Sequence, residues 1–231
     1  MKKESLTPTE SRILSIASSK VGKIIKLFGE GTPYLNTVYT GIVGGIEKKN
    51  LIIFMQDWSE KYLDEKIDEK NKQQAELVAH AVLKSIRCAH DKQVKEIINI
   101  LANAFDGKIE TYADADDLIN IITELSTNEA VVLKNIYDIV YSKKENQERR
   151  KKSGELTIIV NDAYADVAEI TAEVKCLKNR MSFYVGRLVG KGLIVEKGNQ
   201  TIDDIGSEIT KYTVTQVGDM LIKFSSSVVD N

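Results

Sequence analysis

One stretch, Leu177–Phe224, constrains the fold of this chain more than any other. In its first part apolar residues recur at helical spacing and stop at Gly190 and Gly192, which predicts a helix that ends there. A short β-type run at 193–195 follows. A polar segment bounded by glycine separates it from the alternating run at 209–214, which is typical of a returning strand.

The end of this stretch predicts one more helix. Thr215 is placed to cap it, and its apolar residues extend to Phe224. The predicted order is helix, strand, tip, strand and helix, which is that of a winged helix-turn-helix. Upstream, residues 156–160 predict either the first short strand of that fold or the start of a helix. Helices over 163–172 and 175–189 follow, and in a helix-turn-helix the second is the recognition element.

The preceding residues, 1–141, predict a helical bundle built from amphipathic faces. Only 2 prolines and 14 glycines in 231 residues favour a mostly helical protein. Capping boxes begin at Thr7 and Ser126, and Asp114 is a candidate cap for a further helix. The segment 48–50 is either a turn or an exposed helix face. Two more helices are predicted over 71–90 and 94–105.

A charged run at 142–154 separates the two predicted domains. From Ser142 to Ser153 it holds six basic and two acidic residues and no apolar anchor, which gives a local charge of +4. It is either a solvated linker or an extended helix end, and it is able to contact phosphate or an acidic partner. We therefore expect a bundle over 1–141 and a winged-helix domain over 155–231.

Composition and motifs argue against several classes of protein. The net charge of −2 shows no overall attraction to nucleic acid or to an anionic membrane. The most apolar region, 38–55, is interrupted by charged residues and is too short to span a bilayer. Cys88 and Cys176 form no CxxC pair, which favours a reduced, cytoplasmic protein. His80 and His90 lack the spacing of a zinc site.

No catalytic motif is present in the sequence, so we expect a protein that is not an enzyme and needs no cofactor. The candidate surface lies on the predicted recognition helix and consists of Lys178, Arg180, Tyr184, Arg187 and Lys191. A basic stripe with an aromatic residue suits phosphate and groove contacts. However, the predicted domain carries a net charge of −3 and acidic residues in its wing, and the periodicity also places the tyrosine in the core.

Two segments, 97–138 and 183–224, together resemble bacterial proteins of the abortive-infection alpha family. The shared features are a helix that ends in an LANA-like turn, a helix that closes on the pattern LSxxEAxxL at Leu125-Ser126, and the patterns GLI and YxxTxxG. The corresponding residues are Leu101–Ala104, Glu129, Ala130, Leu133, Arg187, Leu188, Gly192–Ile194, Tyr212, Thr215 and Gly218. Gly190-Lys191 departs from the family pattern. The resemblance implies association with defence against phage and supplies no catalytic residue.

The leading hypothesis is therefore a non-enzymatic bacterial interaction protein whose winged helix binds an unknown protein partner. The alternative is a winged-helix DNA-binding transcriptional regulator. The sequence leaves homo-oligomerisation open, because no heptad run is long enough to predict it.

Overall fold

The computed structural model of the protein describes residues 20, 23, 45–61, 63–68, 71–153, 163–197 and 210–226. These residues are mostly helical and include a small three-stranded antiparallel sheet. They form two compact units, one up to Glu124 together with the residues from Phe224 onward, and the other over Leu125–Lys223. The predicted capping box at Thr7 and the run at 156–160 lie outside the described residues.

Amphipathic helices that pack on one another build the first unit. They are α1 (Gly45–Glu60), α2 (Leu63–Lys66), α3 (Lys72–Ile86), α4 (Asp91–Phe105) and α5 (Tyr112–Glu124). Helices α3 and α4 contact each other, and each also packs against α1 and α5. Their apolar faces form the core, in which the rings of Phe54 and Trp58 stack with centroids 5.7 Å apart. The sequence prediction of packed helices is confirmed over these residues.

Side-chain caps fix where two of these helices begin. The Asn71 side chain accepts a hydrogen bond of 3.2 Å from the backbone N–H of Gln74 and so caps α3. Asp114 is not the cap of α5, contrary to the prediction. Thr111 precedes that helix, and its Oγ1 accepts from the Asp114 N–H at 3.1 Å and donates to the Asp114 carboxylate at 2.7 Å. The acidic residue lies inside the first turn, where it favours the helix dipole.

The segment 48–50 is neither a turn nor fully exposed, because α1 continues through it. Asn50 is buried, and its side-chain amide donates to the carbonyls of Ile86 at 3.3 Å and Cys88 at 2.8 Å. The last carbonyls of a helix lack intrahelical donors. Asn50 therefore satisfies the end of α3 from a different helix.

Replacing Asn50 by alanine is expected to lower the free energy of unfolding by about 1–3 kcal/mol, since it leaves two carbonyls at the end of α3 without their donor. Urea unfolding of the full chain followed by circular dichroism measures this loss. Gln56→Ala, at an exposed position of the same helix, is the control and should change stability by less than about 0.5 kcal/mol. Equal midpoints for the two variants would contradict the capping role.

The second unit begins with a long helix. Its elements are α6 (Thr127–Lys152), β1 (Ala165–Asp166), α7 (Val167–Glu173), a 3₁₀ helix (Lys175–Arg180), α8 (Met181–Gly190), β2 (Ile194–Lys197), β3 (Lys211–Val214) and α9 (Gln216–Ser225). Of the predicted helix over 163–172, residues 163–164 lie in no helix or strand, 165–166 form β1, and only the part from Val167 onward is helical. The predicted helix over 175–189 consists of a 3₁₀ segment followed by an α-helix.

The three strands form a sheet in the order β1, β3, β2, and both pairs are antiparallel. Strand β3 is central. It pairs Tyr212 with Ala165 on one side, and it pairs Val214 with Ile194 on the other. The strands predicted at 193–195 and 209–214 are confirmed over Ile194–Lys197 and Lys211–Val214, while residues 198–209, which include most of the predicted tip, lie outside the described residues.

The charged run at 142–152 is the end of α6, so of the two predicted forms the structure has the helical one. The two compact units separate after Glu124 and not at the charged run. The reason is that α6 packs against β1, α7, α8 and β3 of the second unit. The first half of this helix, which the sequence assigned to the bundle, therefore belongs with the small sheet.

Candidate functional site

Thr215, the residue before α9, links the start of that helix to the turn that follows α8. Gly192 has a φ of +69°, a left-handed conformation that favours glycine, and it ends α8. Thr215 Oγ1 donates to the Gly192 carbonyl at 2.7 Å and accepts from the Gly218 N–H at 3.1 Å. The predicted cap at Thr215 is thus confirmed, and the same side chain ties the start of α9 to the end of α8.

A buried carboxylate lies at the start of α6. The Ser126 N–H donates to Glu129 Oε2 at 2.8 Å, and the Glu129 N–H donates to Ser126 Oγ at 3.2 Å. This confirms the predicted capping box. The Glu129 side chain is fully buried, and its other oxygen accepts a 2.8 Å hydrogen bond from Nε of Arg187 in α8.

The pKa of Glu129 reflects two opposing effects. Burial raises the pKa of the Glu129 carboxyl. The hydrogen bonds from Ser126 and the ion pair with Arg187 lower it by more than burial raises it, so the pKa lies below its ordinary value. The carboxylate is therefore charged at neutral pH. It holds the start of α6 and the middle of α8 together.

A second contact joins the same two helices. The Tyr184 ring is buried, and its hydroxyl accepts a 2.8 Å hydrogen bond from the Asn128 side chain. Two of the five residues of the predicted surface, Tyr184 and Arg187, are thus engaged with the first turn of α6. Their contacts position α8 against that helix.

The other three residues of the predicted surface lie outside α8, two before it and one after it. Lys178 and Arg180 are exposed and lie on the 3₁₀ helix, and Lys191 is half-exposed at the far end of α8. A 3₁₀ helix has 3.0 residues per turn, so it does not continue the spacing of an α-helix. The five predicted residues are therefore distributed over a 3₁₀ helix, α8 and the residue that follows α8.

The sequence predicted a basic face with one aromatic residue on this helix, whereas the exposed residues of α8 also include apolar ones. Phe183 is 56% exposed and Val189 is 37% exposed. On the same helix, Gly186 and Gly190 leave open space where a side chain would extend. The Arg187 guanidinium lies 5.6 Å from the centre of the Phe183 ring. The sequence analysis did not identify this face, although the four-residue spacing of Gly186 and Gly190 is a signal that could have found it.

The described residues contain no group of three or more His, Cys, Asp or Glu side chains able to hold a metal ion. His80 Nδ1 forms a hydrogen bond with the Asp116 carboxylate. Cys88 is buried, and burial raises the pKa of its thiol to about 11, so the reactive thiolate is disfavoured. Cys176 is exposed.

Over the described ranges, none of the helices has the length and apolar content needed to cross a membrane. Comparison with known proteins gives no assignment. No family model matches the chain, and neither a curated protein nor a solved structure is significantly similar to it. The resemblance to the abortive-infection alpha family therefore stays a prediction.

Proposed function

We propose that the second unit is a winged helix whose α8 surface binds another protein, and that the chain acts through this contact without catalysis. The order of α7, 3₁₀ helix, α8, β2, β3 and α9, with β1 completing the sheet, supports the winged-helix assignment. The observation that carries the proposed function is the exposed face of α8.

Three properties of this face favour a protein partner over a DNA groove. Phe183 and Val189 expose apolar surface, which is the kind of surface that protein contacts bury. Gly186 and Gly190 allow a partner backbone to approach closely. The central cation, Arg187, is held by Glu129 and stacks near Phe183, so a phosphate would have to compete with a buried carboxylate.

The resemblance noted in the sequence provides the cellular context of this proposal. A protein of bacterial phage defence that senses or recruits another protein needs a binding surface and no active site. Under the alternative hypothesis, a transcriptional regulator, Lys178, Arg180 and Lys191 contact DNA phosphates. Their positions at the two ends of α8 make the two functions separable by experiment.

Duplex DNA binding is the first test. We expect at most weak binding of random duplex at about 50 mM salt, and the same binding by a Lys178/Arg180/Lys191→Ala variant, because α8 presents an apolar face to its partner. Fluorescence anisotropy at about 50 and 200 mM salt measures it. This variant keeps the pair formed by Arg187 and Glu129, and its circular dichroism spectrum serves as the control for folding. Binding that weakens with salt and disappears in the variant would establish the DNA-binding alternative.

Site-specific photocrosslinking is the direct test of the protein contact. A photoreactive phenylalanine analogue at position 183 is expected to crosslink a discrete partner in cells, because Phe183 is the most exposed large apolar side chain of the proposed surface. The matched control places the same group at Gln56, an exposed position in the first unit. Position 183 should lose its crosslink when Gly186 is replaced by tryptophan. Identical products from positions 183 and 56 would reject this surface.

A further inference from the structure

A groove in the second unit has no residue of α8 in its lining and has its own chemistry. It runs between α6 and the start of α9, and its volume is about 370 Å³. The side chains on which the argument depends are Tyr137, Tyr141 and Lys144 of α6, and Asp219 and Lys223 of α9. The first three follow one face of α6, since they are spaced four and then three residues apart.

The aromatic side chains form a flat wall. The rings of Tyr137 and Tyr141 are stacked, with centroids 5.7 Å apart and an angle of 11° between their planes. Tyr141 is 50% exposed, although it is a large aromatic residue. One face of its ring is thus covered by Tyr137, and the groove leaves area on Tyr141 for another planar group.

The charges around this wall are mainly positive. Lys144 is exposed at the rim, and no described residue forms an ion pair with it. The one acid of the groove, Asp219, is paired with Lys223 at 2.7 Å, and this hydrogen bond raises the pKa of Lys223. Beyond Lys144 the same helix carries Glu145 and Glu148 and then Arg149, Arg150 and Lys152, and Arg149 pairs with Glu145 at 3.8 Å. A ligand that stacks on Tyr141 therefore meets Lys144 at the groove and further cations only toward the end of α6.

We propose that this groove binds a segment of single-stranded nucleic acid, with a base stacked on Tyr141 and backbone phosphates on Lys144 and the basic end of α6. An exposed aromatic ring beside a row of cations is how proteins bind single strands without sequence preference. A duplex has no free base face for Tyr141, and an acidic peptide gains no stacking from it. The site is separate from the protein-binding face of α8, and neither proposal depends on the other.

Fluorescence anisotropy with a labelled oligo-dT of about 12 nucleotides, a length within the range of such sites, tests the proposal on the full chain. Tyr141→Ala is expected to weaken binding about tenfold or more, because each stacked base contributes that much. Tyr141→Phe keeps the ring and should bind within about twofold of the wild type. An abasic oligomer with the same number of phosphates should bind about tenfold more weakly than oligo-dT.

The lysine is tested by salt dependence. Lys144→Gln is expected to reduce the slope of log affinity against log salt by about 0.7, the value for one phosphate contact to a single strand. Lys72→Gln, which removes an exposed lysine from the first unit, is the matched control and should leave the slope unchanged.

Four results would overturn the proposal: no binding of oligo-dT at about 50 mM salt, equal binding of the abasic oligomer, tighter binding of duplex DNA, or equal binding of polyglutamate. The abasic and polyglutamate arms use the wild-type protein, so they decide the question even if Tyr141→Ala fails to fold. Oligo-rU in place of oligo-dT determines whether RNA is preferred over DNA.

Discussion

Replacing Gly218 by alanine is expected to destabilise the second unit by about 3 kcal/mol or more, the upper end of the cost of overpacking. A Cβ at this position would lie 2.2 Å from the Leu193 carbonyl oxygen and 2.8 Å from a methyl group of Val214. The carbonyl cannot move away freely, since it accepts hydrogen bonds from the Thr215 N–H at 3.0 Å and from Thr215 Oγ1 at 3.1 Å. Relief requires α9 to separate from the strand.

Urea unfolding of the full chain, followed by far-ultraviolet circular dichroism, measures this effect. Gly186→Ala is the matched control, because it makes the same change in a helix where nothing lies within 4 Å of the new Cβ. It should leave stability unchanged or raise it by up to about 1 kcal/mol, the helix preference of alanine over glycine. If the two variants unfold at the same urea concentration, the close approach at Gly218 is not a constraint on the fold.

The helix caps of the second unit are the part of this region that the sequence predicted. Thr215 and Gly218 are three residues apart because the threonine caps the helix and the glycine, one turn later, meets the Leu193 carbonyl. The threonine cap follows from local chemistry alone, and so does the capping box of Ser126 and Glu129. Such caps depend on residues that are neighbours in the chain, so the sequence carries the whole signal.

Contacts between distant residues were not predictable in this way. Helical spacing placed Arg187 on a surface, and its side chain is indeed 47% exposed. The spacing gave no sign that its Nε contacts Glu129, 58 residues earlier, or that Tyr184 accepts from Asn128. Both contacts depend on how α6 packs against α8. An exposed position in a helix therefore did not imply a free side chain.

The domain boundary was displaced for a related reason. The charged run at 142–152 has the composition of a linker, but its residues continue a helix that begins at Thr127. Composition reports which residues stay in water, whereas compact units depend on which apolar faces meet. Val132 and Ile136 of α6 are buried, and this helix packs on α8 and β3. The boundary therefore falls before the helix.

The second large effect is expected at Glu129. Glu129→Gln should lower the free energy of unfolding at pH 7 by about 1–3 kcal/mol, because it leaves a hydrogen-bond donor of the buried carboxylate without its acceptor. The amide cannot accept from both the Ser126 N–H and Arg187 as a carboxylate does. Urea unfolding at pH 7 measures the loss. Asp106→Asn is the control, because Asp106 also forms an ion pair, with Lys66 at 2.5 Å, but its side chain is partly exposed. This substitution should cost less than about 1 kcal/mol of stability.

The effect of Glu129→Gln should depend on pH in a defined direction. The folded pKa of Glu129 lies below its ordinary value, so the carboxylate stabilises the fold above that value and loses this contribution as the pH falls through the folded pKa. The difference between wild type and variant is therefore expected to shrink from pH 7 toward about pH 3, below the ordinary glutamate pKa of about 4.3. Burial raises the pKa of Glu96, which acts in the opposite sense but is common to both proteins and cancels in the difference.

A double-mutant cycle with Arg187→Met separates the ion pair from the capping box. If the pair holds α8 against α6, the coupling energy is at least about 0.5 kcal/mol at pH 7 and falls on acidification, because protonated Glu129 no longer carries the charge that Arg187 binds. Additive effects at pH 7 would mean that Ser126 alone holds the carboxylate. Arg187 would then be free to bind phosphate, and the case for a protein partner on α8 would lose its electrostatic support.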